Sequence, residues 1–323
     1  MTQLVVTLIL LLLTSCSELA TQSQTDNLHE VHPNCARRLA FDPDSTRLAS
    51  GGVHGDLLIW SLDNYTVSRA LTGHADGIRG LAWLDSNRLV SADRGGEIRL
   101  WDVQRGDVVA SARVESVAEI AWSPGAHDWL LVAGGRSLHK LALPSLRPVI
   151  GTMLPSRVLS VAVNHAADRI AVSTRDGRVS LLDSSLSRVE TLPTASRDAL
   201  DLHFSPDDRT LVAGGWFRLL VWDLQRQTLE ERPTEHRGLI VSLDISPDGT
   251  QWISLGRQTD SAFRLTDAES GQVVRRMQAH QLCGWQARFS PSGRYAASSA
   301  EDGSIHIYDL TDPYRPVVRY PEF

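Results

Sequence analysis

Glu97–Val103 reads EIRLWDV: an alternating apolar pair, Ile98 and Leu100, followed by Trp101 and Asp102. The same frame returns as DLLIWSL at Asp56–Leu62, RVSLLDS at Arg178–Ser184, RLLVWDL at Arg218–Leu224 and SIHIYDL at Ser304–Leu310. Two weaker copies, SLHKLAL at Ser137–Leu143 and AFRLTDA at Ala262–Ala268, fill the gaps. The positions equivalent to Trp101 are therefore Trp60, Leu141, Leu182, Trp222, Thr266 and Tyr308, spaced about 40–44 residues apart. In each strong copy, alternation sends one apolar set to one side and the Trp-type residue to the other. A strand with two apolar faces must be covered on both.

The segments between these copies carry strand and turn signals of their own. In the second repeat, Ile78–Trp83 places Leu81 and Trp83 on one face, Arg88–Ala92 reads as the next strand, and Arg94-Gly95-Gly96 as a tight turn. Asp107–Arg113 follows as a fourth, outer strand. The turn between first and second strands reads DPDS at Asp42–Ser45, SPDD at Ser205–Asp208, SPDG at Ser246–Gly249 and SPSG at Ser290–Gly293, where Pro and Asp pre-form the bend. Four strands per repeat at a period of about 40–45 predict an all-β fold, a seven-bladed β-propeller of four-stranded antiparallel blades. Blade three has Lys140 where Leu100 stands in blade two, so it is expected to be the least regular or to shift register. Pro316–Tyr320 is the favoured outer strand of the last blade, with Leu28–Val31 its competitor for that place.

The recurring Trp-Asp pair and period resemble the WD-repeat (WD40) family over about residues 31–323. That resemblance implies a stabilising network of a His before the first strand, a Ser or Thr in the second, an Asp in the tight turn and the third-strand Trp. The His recurs as His32, His74, His236 and His280, and the turn Asp as Asp176, Asp260 and Asp302. The last repeat, with His280, Ser298, Asp302 and Tyr308, is expected to come closest to the full set, and Trp60, Trp101 and Trp222 supply the aromatic position elsewhere. The network accounts for these His and Asp residues without a metal or a general base.

The N-terminus has its own logic. Leu4–Leu13, LVVTLILLLL, is too short to span a bilayer, which takes about 20 apolar residues. It fits a signal-peptide core. Leu13-Thr14-Ser15-Cys16 resembles the lipobox of bacterial lipoproteins, although Met1-Thr2-Gln3 lacks the usual basic residue. By that resemblance residues 1–15 are a signal peptide, Cys16 becomes the lipidated first residue, residues 16–30 are a flexible tether and residues 31–323 the propeller. An ordinary secretory signal with a coincidental Cys is the alternative. Ser17 in place of Asp favours the outer over the inner membrane, again by resemblance. Beyond Cys16 only Cys35 and Cys283 remain, each three residues after a repeat His on ring-neighbouring blades. They form either a disulfide across the closing seam or two free thiols.

Function is less determined than fold, because propellers host many activities. The chain has 323 residues, 42% hydrophobic, with a net charge of -6, which gives no general attraction to nucleic acid or anionic lipid. There is no G-x-S-x-G, H-E-x-x-H or C-x-x-C frame and no Gly-rich phosphate loop, so no catalytic residue, cofactor or metal is assigned. The leading expectation is a non-catalytic protein-interaction scaffold, monomeric by itself and held in the cell envelope by lipid. The alternatives are a propeller enzyme of hydrolase or dehydrogenase type with a central-channel site, or a carbohydrate-binding propeller in which Trp216 and Trp285 stack on sugars. The family resemblance implies partner contacts on the face where first strands begin. There the two positions per repeat read Arg37, Arg79, Ala118, Leu159, Leu200, Val241, Trp285 and Val53, Arg94, Gly134, Arg175, Gly215, Thr259, Glu301. Trp285, Arg37, Arg79 and Arg94 fall in succession on blades seven, one and two, with Arg175 on blade four and Trp216-Phe217 on blade five. This arc is expected to take an acidic peptide or protein segment.

Overall fold

In the computed structural model, residues 36–126, 128–193, 199–257, 260–277, 280–312 and 318–320 are described. Among them, 28 strands form seven four-stranded antiparallel sheets, each with its strands in sequence order. Blade one runs from Ala36 through Leu71, blade two from Ile78 through Arg113 and blade three from Glu119 through Met153. Blades four to seven begin at Val158, Leu200, Ile240 and Gly284. The first strands pack against one another in succession, blade seven against blade one included, so they ring the axis and the fourth strands form the rim. The expected seven blades are all present.

The apolar core lies in the seams. Seven hydrophobic clusters are found, one for each pair of neighbouring blades. Between blades one and two, Ala49, Leu57 and Ile59 meet Trp83, Leu89 and Trp101. At the closing seam Leu39, Phe41 and Trp60 meet Tyr295, Ile305 and Ile307. Each sheet buries both faces and has nothing of its own to cover them with, so a blade is stable only inside the ring.

The inner strands carry a second device. Six of them have a register shift near their start, such as Ala36/Arg38, Val158/Ser160 and Ile240/Ser242. A bulge re-aims the side chain beside it. The side chain at this position, beside the bulge or in blade three without one, reaches the next blade's inner-strand amide in five blades. Glu119 accepts from Val161 N at 2.8 Å, Ser160 from Leu202 N at 3.0 Å and Asp201 from Leu243 N at 3.0 Å. Ser242 accepts from Ala287 N at 3.0 Å and Gln286 from Leu39 N at 2.5 Å. The two remaining positions are Arg38, which has no acceptor, and Gly80, which has no side chain. At the first of these seams Arg38 Nε donates to Arg79 O at 2.8 Å and the Trp83 indole to Ala40 O at 3.0 Å. At the second Ile120 occupies the space, since a Cβ on Gly80 would meet its Cγ1 at 2.5 Å.

Blade three keeps its expected register, with Leu130 opposite Leu141, so the shift does not occur. Its irregularity is a three-residue inner strand, Glu119–Ala121. Lys140 is half-buried, with its ammonium 4.2 Å from the Trp129 ring centroid and donating to Ser184 O at 3.0 Å. The apolar stem packs while the charge stays satisfied. Val318–Tyr320 pairs with Ile305–Ile307 and completes blade seven, as expected of the C-terminal segment. Leu28–Val31, Cys16, His32 and Cys35 lie outside the described residues. Cys283 is half-buried and free among the described residues, and its expected pairing with Cys35 lies outside them.

Candidate functional site

The polar network that was expected to be most complete in blade seven is complete in blade two instead. Trp101 Nε1 donates to Ser91 Oγ at 2.7 Å, and Ser91 Oγ lies 2.6 Å from His74 Nε2. His74 Nδ1 stands 3.0 Å from Asp93, whose other oxygen takes the Glu97 amide at 2.9 Å. Because the indole can only donate, the chain has one direction: Trp101 to Ser91 to His74 to Asp93. The second strand extends one residue past its predicted end, to Asp93, and that residue supplies the carboxylate. In the repeat frame it sits two places before Asp176 or Asp302, so the alignment passed over it.

The other blades are partial. His236 bonds Ser254 at 2.8 Å and Asp260 at 3.1 Å, with Thr266 where Trp would stand. In blade seven Ser298 bonds His280 Nε2 at 2.8 Å, but Ser304 Oγ comes between, 2.7 Å from His280 Nδ1, and Asp302 is 3.9 Å away. Ser304 in turn bonds Asp302. His306 stacks on His280 with centroids 4.0 Å apart, and Tyr308 OH is 3.4 Å from His306 rather than on Ser298. Trp60 bonds Ser50 at 2.8 Å, and Trp222 bonds Pro193 O at 2.8 Å. His74, Asp93 and Glu97 bring three ligand-type atoms within 4.8 Å of one another. Every one is already engaged, Glu97 with Arg99 at 2.8 Å, so the cluster serves the fold.

Around the axis, charged groups meet that the repeat alignment did not bring together. Arg288 grips Asp201 with two bonds of 2.9 Å, and His203 stands 3.3 Å from both Asp201 and Asp244. Burial opposes ionisation of Asp201, yet the charges of Arg288 and His203 outweigh it and hold the carboxyl well below its ordinary value. Glu119 is pushed up, first by burial and then by the Asp201 charge. Such a group in an open cleft is a candidate acid. Here its carboxylate is committed to the Val161 amide, and its neighbours are committed to each other.

On the face where first strands begin, the predicted arc divides. Arg37 and Arg257 both lie over the Trp285 ring, at 4.1 and 4.3 Å from its centroid, and Arg257 bonds Glu301 at 2.8 Å. Two guanidiniums therefore pack against the indole that was expected to stack on sugars. Trp216 and Phe217 are 39% and 49% exposed, with ring centroids 5.9 Å apart. Phe217 adopts φ 63° and donates its amide to Gly238 O, where blades four and seven turn through Asp176-Gly177 and Asp302-Gly303. Arg79 is half-buried and its Nε has no partner. Burial first, then the neighbouring charges of Arg38, Arg94 and Arg157, bring its value down to about 10. Arg94 and Arg175 are exposed, and Arg94 pairs with Asp76 at 3.2 Å.

Comparison with known proteins bears on this geometry. Residues 24–61, 65–102 and 271–309 match the family profile described as WD domain, G-beta repeat. The chain carries WD40 repeats. Set1 complex component swd1 of Schizosaccharomyces pombe is 34% identical over 93 residues, which is 28% of this chain and 23% of that protein. Small ribosomal subunit protein RACK1y of Oryza sativa is 33% identical over 116 residues, 34% of this chain and 32% of that one. Guanine nucleotide-binding protein subunit beta-like protein 1 of Mus musculus is 26% identical over 317 residues, covering 90% and 94%. Thus the chain spans less than a third of the first two relatives and nearly all of the third. The crystal structure of the Myceliophteria thermophila Cps50 (Swd1) β-propeller domain superposes with a TM-score of 0.72 at 20% identity, over 86% of this chain and 98% of that one. The likeness to that structure is one of fold.

Proposed function

We propose that this WD40-repeat chain is a non-catalytic recruitment scaffold, lipidated on Cys16 and held in the bacterial envelope, with the outer membrane favoured. The observation that carries the reading is a contrast in polar groups. Many of those buried along the axis and in the blades bond one another, whereas Arg175, Trp216 and Phe217 are exposed on one face, beside Arg79, whose Nε has no partner, and Arg94, which holds Asp76. Catalysis needs uncommitted groups converging on a reacting atom. Recruitment needs exposed cationic and aromatic side chains on a rigid frame. The names of two relatives, a Set1 complex component and a THO complex subunit, describe members of assemblies and lend support.

A single acyl chain gives only marginal membrane binding, so diacylation at Cys16 is what holds the chain in place. Cys16→Ser is expected to move the protein from the membrane to the soluble fraction, while the wild type co-isolates with at least one envelope protein. An unchanged distribution refutes the anchor. Isolation without any partner, together with turnover of a substrate, refutes the scaffold.

A further inference from the structure

Cations of this face on blades two and four flank blade three. Arg79 and Arg94 stand on blade two, Arg157 and Arg175 on blade four, and the Arg175 amide bonds Arg157 O at 2.8 Å, which fixes those two at one corner. Arg157 reaches across blade three closely enough to lower the Arg79 value. Asp76, an acid near Arg79, is already bonded to Arg94 and to its neighbour's amide, Gly77 N, at 2.7 Å. Arg157 and Arg175 are exposed, with no side-chain partner among the described residues.

Blade three, between them, is small at its two face positions, with the exposed Arg136 one place beyond Gly135 donating to Leu154 O at 2.9 Å. Its two face positions are Ala118 and Gly134, followed by the exposed Gly135. Gly134 is held small by its surroundings, since a Cβ there would lie 1.8 Å from Ser116 O. The Ala118 amide bonds Ala133 O, and Gly135 O takes the Val158 amide, so this floor is fixed main chain. Four guanidiniums therefore flank a low strip of small residues, with Asp76 already bonded to Arg94. Arginine forks match carboxylates bidentately. Bringing like charges together on a chain whose net charge is -6 creates a local field that a ligand of opposite sign relieves.

We infer that an Asp/Glu-rich segment of a protein partner lies across blade three, its carboxylates held by Arg79 and Arg94 on one side and by Arg157 and Arg175 on the other. This rests on the scaffold reading but moves the contact away from Arg37 and Trp285, which are occupied by each other. A fluorescent decapeptide of alternating Asp and Glu, titrated against the full chain, tests it beside an alternating Lys and Ser control. The acidic peptide binds, the control does not, and affinity falls steeply with salt. Arg94→Glu combined with Arg175→Glu, both exposed and so expected to leave the melting curve unchanged, weakens binding at least about tenfold. Equal binding by wild type and double variant overturns the inference, as does capture of phosphatidylglycerol vesicles in place of the peptide. A native partner that still co-isolates with the double variant also overturns it, while leaving the scaffold reading intact.

Discussion

Ser91→Ala is expected to destabilise the protein by about 2–5 kcal/mol, far more than an exposed Ser→Ala change such as Ser111, which should stay within about 0.5 kcal/mol. The Ser91 hydroxyl is fully buried and serves two neighbours at once, accepting from Trp101 Nε1 and donating to His74 Nε2. Its removal strands an indole N–H and an imidazole nitrogen away from water, each costing about 1–3 kcal/mol. Urea unfolding at neutral pH measures the difference. The same chain gives the protein an acid limit. Burial lowers His74, with the Asp93 contacts only partly offsetting it, and burial likewise lowers His236. A His whose folded value lies below its unfolded value takes up its proton in the unfolded chain first. Stability therefore falls as pH drops below about 6.5 and stops falling once the folded value is passed. A melting temperature that is flat from pH 7 to pH 5 contradicts this.

Asp201→Asn is expected to cost about 3–5 kcal/mol, the penalty of leaving a buried charge without its counter-ion. Arg288 is held by two bonds to this carboxylate, and the Leu243 amide of the neighbouring blade depends on it as well. Asn is the informative substitution because Asp201 sits at φ 51°, a region Asn tolerates and most residues do not. The loss then reports charge rather than backbone strain. The folded carboxyl titrates well below 3.8, so its contribution is complete above that value and disappears only as pH falls through the folded value. At pH 7 the whole loss is seen by equilibrium unfolding, and a variant as stable as wild type contradicts the account of the axis.

The blades were legible because the third strands repeat an apolar alternation and blades one, five, six and seven a Pro-containing first turn, signals that are local. The axis was not. Arg38, Gly80, Glu119, Ser160, Asp201, Ser242 and Gln286 occupy one register position, and six of the seven are polar, a pattern present in the chain. Its meaning depends on how the start of the inner strand aims the side chain, by a bulge in every blade but the third, and on a neighbour about 40 residues away, neither of which a single strand's periodicity encodes. Asp93 was missed because the network needs only that a carboxylate reach His74, and one two places early in the frame reaches it. Arg37 and Trp285 were placed on the correct face, but their mutual stacking follows from ring closure and not from either repeat alone.

The central claim, recruitment of a partner on the face where first strands begin, is met most directly by site-specific photocrosslinking in the native cell. A photoreactive residue is placed at Gly135 or Phe217 on that face, at Asp248 in a turn at the opposite end of the strands, or at Val109 on the outer rim. All four positions except Asp248 and Gly135 are apolar and all are exposed. The account predicts adducts with one partner protein from Gly135 and Phe217 and none from Asp248 or Val109. Adducts confined to Asp248 or Val109 would contradict it.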